Sequence, residues 1–241
     1  MRRIHFVRTA NDVTENNVKG RTAVVVDVLR ATSTIVTALH HGCRAVIPVK
    51  EVAEAFAAAD QFRTGEFILG GEREGKRVPG FHFGNSPQEY TPQAVAGKVV
   101  ITTTTNGTHA LVNSAPAEET LVLSFLNLTA VAERVIKGES DLCLIAAGSY
   151  GKFSVEDAAC CGFLANRLSA GGNHFHLTPA AQQIARLAAD YEGRVLQLLH
   201  DSPHGEFLQQ IGFGSDLAVC AQLDTCPVTP IYRQGRITIP N

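Results

Sequence analysis

The chain has 241 residues, 45% of them hydrophobic, and a formal net charge of −2 from 21 basic and 23 acidic side chains. That length and apolar content support a sizeable core, in one large domain or in two intimate lobes. The balanced, scattered charge gives no basic face for nucleic acid or an anionic membrane, so any anion must be met by a local cluster.

Met1-Arg2-Arg3-Ile4-His5-Phe6 opens with basic residues but lacks the apolar stretch of a signal peptide, and no segment approaches a membrane span. The six cysteines, Cys43, Cys143, Cys160, Cys161, Cys220 and Cys226, have neither the spacing of a disulfide framework nor a Cys-x-x-Cys pair for zinc. A cytoplasmic protein with buried free thiols is the expectation.

In chain order, Ile4-His5-Phe6-Val7 predicts a first strand, and Val24-Val25-Val26-Asp27-Val28 a second. The second runs through Leu29-Arg30 into Ala31-Thr32-Ser33-Thr34, hydroxyl residues of the kind that begin a helix, here expected over 32–41 with Gly42 closing it. A strand at 45–49 and an Ala-rich helix at 52–63 continue a β-α-β-α rhythm. A third strand, 67–71, opens into a long loop over 72–87, thick with charge, glycine and aromatics, which predicts an ordered, ligand-facing segment.

Strands at 98–103, 120–125 and 141–148 follow, with polar turns at Thr104-Thr105-Asn106-Gly107-Thr108, at Asn127, and at Ser149-Tyr150-Gly151-Lys152. Ser154 and Asp157 open a helix through Leu168 in capping-box style. Beyond Gly171-Gly172 the pattern turns helical: a long helix from Thr178-Pro179 with apolar positions through Leu199, another from Ser202-Pro203, a helical stretch at 216–220, and a terminal hairpin turned at Gln234-Gly235. With no repeat and no low-complexity linker, residues 1–241 read as a single domain: three-layer α/β/α around a largely parallel or mixed sheet, with a helical C-terminal part. Five strands end in polar turns, and in open α/β sheets such ends share one crevice.

Several motifs are decoys. Gly70-Gly71-Glu72-Arg73-Glu74-Gly75-Lys76 starts like a nucleotide P-loop, but Arg77 stands where Ser or Thr must bind magnesium, and Val78-Pro79-Gly80 where a helix must begin. Cys161 and Arg167 have the spacing of cysteine phosphatases but lie in an amphipathic helix whose N–H groups are already used. Asp27 lacks the second Asp, two positions on, of the aspartyl-phosphate route; Leu29 is there. What remains is a carboxylate set of Asp27, Glu72, Glu156 and Asp157, hard oxygen donors of the kind magnesium prefers. Against this, Asp27 pairing with Arg30 and Asp157 acting as a capping acid are purely structural alternatives.

Taken together, Val25-Val26-Asp27-Val28-Leu29-Arg30-Ala31-Thr32-Ser33-Thr34, Gly71-Glu72-Arg73 through Gly80-Phe81-His82-Phe83-Gly84-Asn85-Ser86-Pro87, Thr103-Thr104-Thr105-Asn106-Gly107-Thr108, and Ala147-Gly148 with Glu156-Asp157 closely resemble the 2-phosphosulfolactate phosphatase family. The resemblance covers nearly the whole chain and implies magnesium-dependent removal of phosphate from 2-phospho-3-sulfolactate, a step toward coenzyme M. On that basis Arg30 and Arg73 are expected to grip anionic oxygens, joined by Lys76 or Arg77. Thr32, Ser33, Glu72, Asn85, Ser86, Thr105, Asn106, Gly107 and Gly148 are expected around the substrate, and Asp27 with Glu156 or Asp157 around Mg2+. A metal-activated water is the expected nucleophile. The alternative is a non-catalytic binder of a phosphorylated or sulfonated acid. A small polyanionic substrate is the expected partner, without nucleic acid or membrane, and a homodimer is left open.

Overall fold

The computed structural model describes residues 1–170 and 175–240, so the Gly171-Gly172 boundary expected from the sequence lies outside the described residues. In chain order the elements are β1 (Arg2–Val7), α1 (Glu15–Val18), β2 (Arg21–Val26), α2 (Ala31–His40), β3 (Ala45–Pro48), α3 (Val52–Ala59), β4 (Phe67–Arg73) and β5 (Lys76–Arg77). They continue with α4 (Pro92–Val95), β6 (Val99–Thr103), α5 (Gly107–Asn113), β7 (Glu119–Leu123), α6 (Leu128–Ile136), β8 (Asp141–Ala146), α7 (Val155–Ala170) and β9 (Phe175–Leu177). The chain ends with α8 (Pro179–Asp190), α9 (Val195–Asp201), α10 (Pro203–Gln210), α11 (Gly214–Cys220), β10 (Ile231–Arg233) and β11 (Arg236–Thr238).

Among the described residues the strands form one mixed sheet in the order β5-β4-β6-β3-β11-β10-β7-β2-β8-β1-β9. Two parallel blocks, β4-β6-β3 and β7-β2-β8-β1-β9, are joined through the antiparallel hairpin β10-β11, which pairs with β7 on one side and β3 on the other. The expected terminal hairpin is thus present, and Gln234 and Gly235 both take positive φ, 50° and 77°, as a tight two-residue turn matching strand twist requires.

Strand alternation puts the core on both faces. Val24 and Val26 of β2 pack in one cluster with Leu128 and Val131 of α6 and Leu164 of α7, while Ala23 and Val25 pack in a second with Ile35 and Leu39 of α2 and Leu111 of α5. A sheet buried on both faces reads as an unbroken apolar run, which is why Val24-Val25-Val26 shows no alternation. The result is the three-layer α/β/α arrangement expected. No described helix is long and apolar enough to cross a membrane.

Three expectations are corrected. The strand expected at 67–71 continues to Arg73 and turns through Glu74 (φ 53°) and Gly75 (φ 74°) into β5, so the charged loop begins as a hairpin pairing Glu72 with Arg77. The long C-terminal helix is two, α8 and α9, separated by a turn with Gly193 at φ 71°. Apolar residues keep helical spacing across that turn, and this hid the break from periodicity. The short edge strand β9 was not anticipated; three residues are too few for an alternation signal.

Candidate functional site

The centre of the site is the junction of β2 and α2. Asp27 follows the strand, and its Oδ1 accepts from the Ala31 N–H at 3.2 Å in the first turn of α2. The Thr32 hydroxyl donates to the Asp27 carbonyl at 2.9 Å and accepts from the Asp27 N–H at 3.1 Å; the Ser33 hydroxyl donates to the Val28 carbonyl at 2.8 Å. These hydroxyls lock the crossing from strand to helix and are fully buried, so Thr32 and Ser33 stand behind the site and not at its surface.

Arg30 is 2% exposed. Its guanidinium donates to Asp216 Oδ2 at 2.6 Å and to the Gly75 carbonyl at 2.9 Å, and lies 4.2 Å over the Phe213 ring. Asp216 comes from α11 and also accepts from Ser86 Oγ at 2.6 Å and Gln88 Nε2 at 2.8 Å. Arg30 is therefore aimed by a buried, fully bonded acid from the far end of the chain, with donor positions left over: a guanidinium has five N–H bonds and two are engaged here.

Other strand ends close the cleft. Glu72, at the end of β4, accepts from the Gly75 N–H and the Thr105 N–H, both at 2.8 Å, and so ties the β4-β5 turn to the β6-α5 turn. Asn106 accepts from the Tyr150 N–H at 3.0 Å, joining the β6-α5 turn to the turn after β8. Gly107 lies against Asp27: a Cβ there would sit 2.6 Å from the Ala31 Cβ and 2.7 Å from Asp27 Oδ2. Among the described residues the Thr105 hydroxyl, a buried oxygen, has no hydrogen-bond partner. Asp27, Arg30, Glu72, Asn85, Thr105 and Asn106 line one polar cleft.

A second hollow shares Asp27 and Asn106 with this cleft and adds Gly148, Glu156 and Asp157. Burial pushes the Asp27 carboxyl up to about 7, with the negative charges of Glu72 and Glu156 adding to it. Glu156 is raised by burial, and Asp157 is raised by burial together with the charges of Asp27 and Glu156. Buried carboxylates that raise one another form a site for a cation or a proton, and oxygen donors suit a hard cation. Among the described residues no group of three Asp, Glu, His or Cys side chains is closed to metal-holding geometry. Asp157 is engaged by the backbone, its two oxygens accepting from the Val28 N–H at 2.8 Å and the Gly148 N–H at 3.1 Å. Asp27 and Glu156 remain as two oxygen donors on one hollow, which fits magnesium, an ion commonly held by one or two carboxylates plus substrate and water.

The expected residues thus divide. Asp27, Arg30, Glu72, Asn85, Thr105, Asn106, Gly107, Gly148, Glu156 and Asp157 are brought together, and Ser86 stands one bond behind, on Asp216. Arg73 points elsewhere: its guanidinium donates to the Glu72 and Lys50 carbonyls at 2.8 and 3.0 Å and to Thr103 Oγ1 at 2.9 Å. Lys76 and Arg77 are exposed on β5, away from the cleft lining. The Asn127 turn closes on itself, Asn127 accepting from the Ser124 N–H and donating to the Val122 and Val228 carbonyls, so four of the five polar strand ends share the crevice.

Both decoys resolve structurally. The Gly70-Gly71 pair admits neighbours and not a phosphate: a Cβ at Gly70 would sit 2.0 Å from the Tyr90 hydroxyl, and one at Gly71 2.1 Å from the Thr103 carbonyl. Cys161 is buried inside α7, with its thiol pushed well up by burial.

Sequence reasoning passed over Asp216 and His204. His204, in the first turn of α10, lines both hollows; burial lowers its pKa, with Glu72 opposing and Arg30 adding to the shift. Neither residue carries a motif of its own. The usable signal was the Ser202-Pro203 helix start, which places His204 in the first turn of α10.

A family model described as 2-phosphosulpholactate phosphatase matches residues 7–235. A protein of Clostridium acetobutylicum named probable 2-phosphosulfolactate phosphatase is 39% identical over 238 residues, covering 98% of this chain and 99% of its own. One of Symbiobacterium thermophilum with the same name is 39% identical over 220 residues, covering 91% and 94%, and one of Clostridium beijerinckii is 33% identical over 236 residues, covering 98% and 99%.

Proposed function

The chain belongs to the 2-phosphosulpholactate phosphatase family, and on that premise we propose that it is a magnesium-dependent phosphoric monoester hydrolase acting on 2-phospho-3-sulfolactate or a similar small 2-phospho acid. The observation that carries this reading is the placement of the Arg30 guanidinium and the Asp27 carboxyl in one cleft. An anion grip beside a carboxylate cluster is what a phosphate monoester and its counter-cation together require.

Each residue then has a task. Arg30, oriented by Asp216 and Gly75, presents its free N–H donors to the phosphoryl oxygens, over which the transferring group's negative charge is spread in the transition state. The Thr105 hydroxyl, with no partner among the described residues, supplies a neutral donor beside it. Asp27 and Glu156 would hold Mg2+, and Asp157 fixes the backbone of Val28 and Gly148 around them. When bound, the ion offsets the acid cluster and the substrate's negative charge. Glu72 and Asn106 tie three loops into a fixed frame, which keeps the donors oriented before substrate arrives.

The test is phosphate release from 2-phospho-3-sulfolactate by purified protein, with added magnesium and with EDTA. Turnover that disappears with EDTA and returns with magnesium is expected. Turnover unaffected by EDTA overturns the metal assignment, and calorimetric binding without turnover over hours replaces the enzyme by a binding module.

A further inference from the structure

The polar cleft does not end at its own walls. Past Tyr150 and His204, both of which line it, it opens into a larger hollow with about 860 Å³ of empty space against the cleft's 320 Å³. The walls change character there: Phe153, Val155, Pro203 and Phe207 make this hollow predominantly apolar, with Lys152 and Ser154 among its polar residues and Glu156 at the end shared with the acid cluster. Tyr150 and Phe153 are 56% and 44% exposed, so the free protein leaves aromatic surface in water beside its own active site. Ligand pockets are lined mainly by apolar and aromatic side chains, and this hollow has such a lining.

The walls are held in place. Tyr150 sits at the tip of a turn in which the Ser149 and Lys152 backbones exchange two hydrogen bonds of 2.9 Å, and its own N–H is bonded to Asn106. On the opposite side, the α9-α10 corner is so close that a Cβ at Gly205 would fall 1.7 Å from the Leu199 carbonyl, which fixes the start of α10 and with it Pro203 and Phe207. A rigid apolar wall gains from an apolar guest without a cost of rearrangement.

We infer that this hollow is a side-arm subsite, and that it favours 2-phospho acids whose third carbon carries an apolar group about the size of an aryl ring over the same acids with only a hydrogen there. The inference rests on the phosphatase reading above: the phosphate occupies the cleft of Arg30 and Asp27, and the arm leaves it between Tyr150 and His204. Chemistry at phosphorus is unchanged; the arm adds binding energy remote from the reacting bond.

The experiment compares kcat/KM for 2-phospho-3-phenyllactate and for 2-phospholactate with magnesium, alongside 2-phospho-3-sulfolactate. The phenyl compound is expected to exceed phospholactate by about tenfold or more, the discrimination an apolar pocket of this kind supports. Phe153→Ser, at an exposed position that the fold tolerates, is expected to bring that ratio down severalfold; Phe207→Ala should do so further. A ratio near one in the wild-type enzyme, with sulfolactate ester hydrolysed, overturns the subsite and leaves the phosphatase standing. Hydrolysis of none of the three overturns the phosphatase reading and the subsite with it.

Discussion

Between residues 27 and 34 the chain builds its share of the cleft from close sequence neighbours: Asp27 is bonded to Ala31 and Thr32, and Ser33 to Val28. The C-terminal third works at long range, with Asp216 reaching Arg30 across 186 residues of sequence and Ser86 across 130. Chemistry is thus placed locally and aimed from afar. The local half needs the right residue types in order, whereas the distant half needs the whole fold to be finished. A strand-helix junction can supply a charge, but one buried arginine pointed in one direction takes an acid, a carbonyl and an aromatic face from other elements.

The difference can be broken at either end. Removing the local charge has the largest expected effect: Asp27→Asn should lower kcat/KM by about 10³-fold or more while leaving the thermal midpoint at pH 7 unchanged or higher, read by phosphate release and by calorimetry. Loss of activity together with loss of fold would assign Asp27 to structure.

Removing the distant anchor comes next. Asp216→Ala leaves the buried Arg30 guanidinium without its acid and should destabilise the protein by about 3–5 kcal/mol in urea unfolding. Arg73→Ala, which only gives up half-buried bonds to carbonyls and a hydroxyl, should cost about 1–2 kcal/mol. Equal costs would erase the distinction between the two arginines.

The mildest probe is pH. The Asp27 carboxyl titrates at about 7 in the folded protein, against 3.8 without the fold, so the folded state holds the proton more tightly. Its contribution to stability is full below about pH 4 and is lost as pH rises through 7, amounting to a few kcal/mol at most. Metal-free protein should therefore lose thermal stability between pH 5 and about 8, and Asp27→Asn should flatten that slope; magnesium should flatten it too, by favouring the ionised carboxylate. A slope identical in the wild type and the variant would place the titration on another group.

These same two regions explain what could be read from the sequence. The β2-α2 junction, the Thr105-Asn106-Gly107 turn and the Glu156-Asp157 helix start were legible because each couples an apolar strand or helix to polar residues at its end. The largely parallel or mixed sheet followed from the βα rhythm, and the final hairpin from Gln234-Gly235. Arg73 was misplaced because sequence shows a guanidinium but not its direction, and β4 runs on far enough to turn it toward Lys50 and Thr103. Asp216 and His204 were invisible because their roles arise only when α10 and α11 are brought against the carboxyl ends of strands made much earlier.

The position of β10-β11 has a consequence for how the protein comes into being. Strands β10 and β11, which follow every other described strand along the chain, are not at an edge but near the middle of the sheet, between β7 and β3. Until they arrive, both parallel blocks carry an open strand edge, the kind of surface on which nascent chains mispair. A ribosome-bound chain that already contains Asp27, Arg30 and both site turns is still two half-sheets.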